Sequence, residues 1–285
     1  MLGAKLGLQT RPEVVTTADR PSLLRDQPGE VLRVAEPVVE VRSVLQALAH
    51  ANREFIVKVD GPEGVELCAE HGRVEQAILR GNGQELALLP DVVILTAGTG
   101  NEALRNRLGL DPASTQRRPL HMTLLKGKLP QFFGHCIDGN KTRVTISSSS
   151  QAPGGQVTWQ LGGELSEEGV ELSEGDLIQR AQDELHAVLP TLQQHELAWS
   201  SYRVDRAEEA TPSGRRPEDV SIIADGDGHT LSCWPSKLAL APRLAQAVLE
   251  RVSQNHASPE LSLGLAPFAR PQVAPFPWDR EFSTQ

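Results

Sequence analysis

The chain has 285 residues, enough to bury one large core or two modest ones, and its composition, 39% hydrophobic and 23% charged, is that of an ordinary globular protein. A formal net charge of −9 argues against nonspecific attachment to nucleic acid or to an acidic membrane surface, and no apolar stretch has the length to cross a bilayer. Three cysteines, Cys68, Cys136 and Cys233, odd in number and far apart, suit a reducing cytoplasm and read as small buried hydrophobes; the first residues lack the apolar core of a signal peptide.

In chain order, residues 1–30 carry scattered proline and charge without a clear period. "EVLRVAEPVVEV" reads as an extended segment broken by Pro37, and "VRSVLQALAHA" as a short amphipathic helix. A β-meander follows: "FIVKV", "GVELCAE", "RVEQAIL" and "QELALL" alternate apolar and polar residues between the turns "DGPEG", "HG" and "GNG". "DVVILTAG" is a continuous apolar run, the pattern of a strand covered on both faces. Residues 115–165 are strand-like again and predict an antiparallel sheet. "SEGDLIQRAQDELHAVLP" is the best helix in the chain, with Ser173 as N-cap, acids in the first turn and Pro190 ending it. The strand "AWSSYRVDRAE", a polar excursion at 211–219 and the strand "DVSIIAD" come next. "GHTLSCWPSKLALAPRLAQAVLERV" predicts a strand, a turn and a closing helix, and the Pro-rich residues 256–285 a loosely ordered tail.

The stretch "TAGTGNEA" imitates a dinucleotide loop. A true fingerprint opens a βαβ unit and meets an acid about twenty residues on, at the end of a second parallel strand. Here a meander precedes the glycines and "DPASTQRRPLHM" follows them, so an NAD-linked enzyme using Gly98 and Gly100 is the weakest reading. "ISSSSQAPGG" lacks the G-x-S-x-G elbow of a serine nucleophile and reads as a polar hairpin tip. His121, His135 and Cys136 lack the short paired spacing of a zinc site, so no metal is expected; either histidine could face a pocket as a proton acceptor or be a hydrogen-bonded structural residue.

A meander, the strand "VVILTAG" and a helix ending "LGL" resemble the FAD-dependent oxidoreductases of the D-amino-acid oxidase and glycine oxidase type. The resemblance continues in order through "RRPLHM", the strand "LGGEL", the helix "AQDELHAVLP", W-x-x-x-R at Trp199–Arg203 and "CWPSKLALAP", and covers residues 30–252. It implies an α+β chain in four parts: a partial FAD-binding domain with the meander (1–114), a mostly antiparallel substrate-binding domain (115–205), a return to the FAD-binding domain with its closing helix (206–255), and the tail. It also implies FAD as cofactor, an amine or amino acid as substrate, and hydride transfer from the substrate to the flavin. The family's own pyrophosphate loop lies on a βαβ unit at its extreme N-terminus, and this sequence contains no such unit. The expectation is therefore a missing N-terminal segment or a partner chain that supplies it, and the alternative function is a non-catalytic remnant that binds a small carboxylate.

By the same resemblance Gly98 and Thr99 lie beside the FAD, and Trp234, Pro235, Ser236, Lys237 and Leu238 where backbone meets the flavin's pyrimidine edge. Ser236 reads as the N-cap of the following helix, whose dipole would favour the charge of a reduced flavin, and Lys237 stands where the family often has glycine. Arg203 takes the position that holds the substrate carboxylate, work suited to a bidentate guanidinium, the other reading being a structural ion pair with Asp205 or another acid. Alternation puts Trp199, Ser201, Arg203 and Asp205 on one strand face and Arg206 on the other. His121 is the companion catalytic candidate, with Arg117 and Arg118 at the pocket mouth or simply solvated.

Overall fold

A computed structural model describes residues 11–149, 155–193, 196–253 and 265–282. In chain order its strands are β1 (Glu13–Val15), β2 (Val31–Arg33), β3 (Val65–Glu70), β4 (Arg73–Gly81), β5 (Gln84–Leu88), β6 (Val93–Leu95), β7 (Thr115–Gly127), β8 (Gly134–Asp138), β9 (Lys141–Ser148), β10 (Val157–Gly162), β11 (Ala198–Glu209), β12 (Ser221–Asp225) and β13 (Thr230–Trp234). The helices are α1 (Val41–Ala51), α2 (Gly100–Arg107), α3 (Glu164–Glu168), α4 (Glu174–Val188), α5 (Ala241–Ser253) and α6 (Pro277–Glu281). The fold class is α+β, as the sequence implied.

The chain divides into two compact units. The first comprises residues 1–44, 119–204 and 274–285, the second 45–118 and 205–273, with two of the boundaries falling inside β7 and β11.

The first unit is built on an antiparallel sheet in the order β11-β7-β10-β9-β8. Its core forms where α4 lays Leu177, Ala181, Leu185 and Val188 against Leu125, Val144, Ile146, Val157, Trp159 and Leu161 of the sheet. The spacing i, i+4, i+8, i+11 is that of a single helical face, which is why the sequence pattern was readable. Ser173 caps α4 by accepting a 3.2 Å hydrogen bond from the Asp176 N–H, as its position predicted. "LGGEL" is strand only as far as Gly162. Gly163 turns at φ +84°, and a Cβ there would sit 2.6 Å from the Thr142 carbonyl oxygen, so the chain leaves the sheet and starts α3.

The second unit contains the meander β3-β4-β5 and a separate sheet in the order β12-β13-β6, in which β13 and β6 run parallel. "FIVKV" is not one of the meander strands. Its backbone pairs instead with the far end of the chain, the Lys58 N–H donating to the Ala269 carbonyl and Arg270 to the Ile56 carbonyl, each at 2.8 Å. That pairing also corrects the expectation of a loose tail. Leu265 and Phe268 are buried, and α6 forms in the stretch assigned to the first unit, where Arg42 pairs with Asp279 and stacks over Phe276. The part of the tail at 254–264 and the serine-rich hairpin tip at 150–154 lie outside the described residues. Helix α1 forms where expected but buries no residue.

Replacing Leu177 with Ala should lower unfolding free energy by about 2–5 kcal/mol in denaturant melts, because the α4–sheet contact has no way to collapse around the gap. The exposed Leu48→Ala change on α1 should stay within about 0.5 kcal/mol in the same assay.

Candidate functional site

The parallel pair β6 and β13 is short, matching Val93, Ile94 and Leu95 with Thr230, Leu231 and Ser232. Past this pair the strands separate. One chain turns through Thr96–Thr99 into α2, and the other continues through Cys233–Pro235 towards α5. Between these diverging segments and the first turns of α5 lies an open cavity of about 720 Å³, all of it within the second unit. Its walls are apolar or small: Ile94 and Ala97 on one side, Cys233, Trp234 and Pro235 on another, and Ala241, Leu244, Ala245 and Val248 from α5. Among the described lining residues Asp205 is the one charged side chain, with its carboxylate 3.5 Å from the Arg117 guanidinium. "DVVILTAG" is therefore not covered on both faces, since Ile94 is 41% exposed.

The residues expected beside the cofactor divide. Gly98, Thr99, Trp234 and Pro235 line the cavity, whereas Ser236, Lys237 and Leu238 do not. Gly98 has φ +60° with nothing within 4 Å of where a Cβ would be, so its face towards the cavity is open backbone. Ser236 is not the N-cap of the closing helix. It takes the left-handed conformation at φ +54°, Lys237 caps a three-residue 3-10 turn, and α5 begins only at Ala241. The Ser236 hydroxyl is buried and has no hydrogen-bond partner among the described residues.

The catalytic candidates belong to the first unit. Arg203 is exposed and donates from Nη1 to the Val170 carbonyl and from Nη2, at 2.8 Å, to the Leu172 carbonyl. It is therefore held by backbone, and Asp205 meets Arg117 in the second unit. His121 is 3% exposed, with Nδ1 3.1 Å from the Gly169 carbonyl and Nε2 2.9 Å from the Ser201 hydroxyl. A carbonyl only accepts, so Nδ1 donates to Gly169, and Nε2 shares a hydrogen bond with the Ser201 hydroxyl. Both ring nitrogens are thereby engaged, the arrangement of the hydrogen-bonded structural histidine that the sequence offered as the other reading. His135 lies on β8 with Nδ1 2.9 Å from Thr145 Oγ1.

Arg118 is not solvated charge. It grips the buried Glu208 through Nε at 2.8 Å and Nη2 at 3.1 Å. Arg117 pairs with Glu102 at 2.7 Å as well as with Asp205. Sequence reasoning passed over Asn101 and Arg105, both without exposure and four residues apart on α2. Arg105 reaches Asp225 at 2.7 Å and Ser232 at 2.8 Å. Polar residues at i and i+4 directly after a buried strand were the signal available.

These residues fit the ring of a flavin better than its pyrophosphate. Apolar walls, the threonines Thr96 and Thr99 and an open glycine face suit a flat, partly polar ring system. A doubly charged pyrophosphate would find Asp205 there and no cation among the described lining residues. The described residues hold no cluster of metal-ligating side chains.

No family model matches the chain. Among curated proteins it is 34% identical, over 98% of its own length and 70% of the other's, to the probable FAD-dependent oxidoreductase PA4991 of Pseudomonas aeruginosa. Among solved structures, the crystal structure of that Pseudomonas FAD-dependent oxidoreductase superposes with a TM-score of 0.80 at 33% identity, covering 94% of this chain and 72% of that one. Glycine oxidase from Bacillus cereus aligns over 69% of this chain and 51% of its own, at 11% identity and a TM-score of 0.40.

The three thiols differ in what they meet. Cys68 is exposed, Cys136 half-buried and Cys233 buried, and burial pushes the Cys233 thiol up to about 11. A thiol reagent at neutral pH should therefore label Cys68 in the native protein and Cys233 only after unfolding. Because the unfolded thiol ionises first, the contribution of Cys233 to stability should be intact below about pH 9 and lost as pH rises to about 11; comparing melts of wild type and Cys233→Ala across that window measures it.

Proposed function

The chain belongs to the FAD-dependent oxidoreductase family, and on that premise we propose that it oxidises an amine or amino acid, with the flavin ring seated in the cavity between Gly98–Thr99 and Trp234–Pro235. The observation that carries this reading is the cavity itself, where the two segments expected to flank the ring form adjoining walls. When bound, FAD would supply the hydride acceptor, and the protein's own residues do the rest. Gly98 offers open backbone to the ring, and Trp234, Pro235 and the apolar side of α5 exclude water from it. Arg203 orients the substrate carboxylate. Two of its five N–H donors are engaged by Val170 and Leu172, which brace the guanidinium, and the exposed remainder is available to an anion. His121 serves by fixing Ser201, two residues before Arg203 on the same face of β11.

A second reading concerns how much of the cofactor this chain grips. Among the described residues the lining offers no cation, and β6 stands at the edge of its sheet with β13 as its one neighbour. Both favour a pyrophosphate held by another polypeptide segment, with the ring end held here.

Titration with FAD should give a protein-bound visible absorption band, and protein that stays colourless at high FAD opposes the proposal. Riboflavin binding about as tightly as FAD supports the second reading, whereas a large preference for FAD supports a complete site. In the flavin-loaded protein, Arg203→Leu should raise the apparent dissociation constant of a carboxylate substrate about 10- to 100-fold. An unchanged constant removes Arg203 from the site.

A further inference from the structure

Where two parallel strands separate, their last carbonyls lose the ladder that satisfied them, and a buried carbonyl without a donor is costly. In this protein the side chain of Asn101 bonds to both sides of that fork. Asn101, at the start of α2, is 0% exposed. Its Oδ1 accepts from the Ala97 N–H at 2.7 Å, and its Nδ2 donates to the Leu95 carbonyl at 3.2 Å and to the Cys233 carbonyl at 3.3 Å. The amide therefore touches the end of β6, the turn that follows it, and the end of β13. The last ladder pair is Leu95 with Ser232, so Asn101 takes over one residue beyond it on β13. The segments it joins are those that carry Thr96–Thr99 and Cys233–Pro235 into the cavity wall.

Resting on the flavin reading of that cavity, we propose that Asn101 is a positioning residue. It sets the separation of the two backbone segments between which the ring lies, and so the width of the slot, without touching the ring itself. Asparagine is specific for this work. One planar amide presents an acceptor and two donors at once, and the three backbone groups need one acceptor and two donors. Aspartate keeps the acceptor for Ala97 and loses both donors, serine is too short to span the fork, and alanine leaves all three groups unmet. Arg105, one turn along, bonds Ser232 of β13 and Asp225 of β12, side chains outside the two slot segments. The two buried polar residues of α2 thus have separable tasks.

The test compares Asn101→Ala and Asn101→Asp with Val74→Ala, a cavity-forming change in the meander that serves as a stability control. Amide hydrogen exchange on the flavin-free protein and FAD titration are the two readouts. Asn101→Ala should speed exchange in both 96–99 and 233–236 and weaken FAD by about tenfold or more relative to Val74→Ala at comparable loss of melting temperature. Asn101→Asp should loosen 233–236 while leaving the Ala97 amide protected, a split that general destabilisation does not produce. Folded Asn101 variants whose exchange and FAD affinity match the control overturn the proposal. If Asn101→Ala does not fold, the Asp variant decides alone. If wild-type protein takes up no FAD, the flavin reading fails and the exchange pattern still decides whether Asn101 sets the slot: the segment-specific pattern upholds it, a uniform one sinks it.

Discussion

Two side chains on a helix of eight residues, Asn101 and Arg105, hold the second unit to its geometry. They are fully buried, polar, and aimed at the backbone and side chains of the strands beneath. A parallel pair of three residues has few ladder bonds, and hydrophobic contact alone would not fix where the strands part. Directional bonds do. Asn101 determines where the fork opens, and Arg105, anchored on Asp225, determines how α2 lies across β13 and β12. Because buried polar groups are costly when unmet, each removes alternatives in which the strands would run on together or part sooner. The turn at Gly98 and the wall at Trp234 take their positions from that fork.

The electrostatics of the cavity follow from what surrounds it. Several cations of the second unit are already paired: Arg117 with Glu102 and Asp205, Arg118 with the buried Glu208, Arg105 with Asp225. The described residues facing the cavity are mostly apolar, with open backbone at Gly98, two threonines and one carboxylate. Such a surface accepts a neutral aromatic ring readily and a phosphate poorly. The distinction matters because the chain matches about 70% of the length of its Pseudomonas relative, so what that relative does as a whole and what this stretch does by itself are separate questions.

Much of this was legible in the chain. The spacing of Leu177, Ala181 and Leu185 announced α4, Ser173 announced its start, and the turns "HG" and "GNG" placed the meander strands β3, β4 and β5. The glycines of "TAGTG" were read as a turn beside a cofactor and not as a phosphate loop, and Gly98 does line the cavity with its face open. Less legible were the features set by partners distant in sequence. "FIVKV" has the apolar, β-branched composition of a strand, yet its hydrogen bonds go to residues 269 and 270, which looked like tail. Ser236 has the right identity for an N-cap, yet its backbone is left-handed and the helix begins only at Ala241. His121 stands beside Ser201, and neither residue type nor local spacing foretells that both its nitrogens would be taken.

By itself, then, the sequence determined most of the strands and the helix α4, because alternation, helical period, caps and turn glycines act over a few residues. It also determined the kinship with flavin oxidoreductases, carried by short motifs in a constant order. Tertiary structure alone decided which polar side chains are sealed in hydrogen bonds and which face open space. Asn101 and Arg105 became struts, His121 became a brace, and Asp205 became the one charge among the described residues that line an apolar cavity. The reason is that burial and hydrogen-bond partnership depend on groups that may be over a hundred residues away, as Cys233 is from Asn101, and no local pattern carries that information.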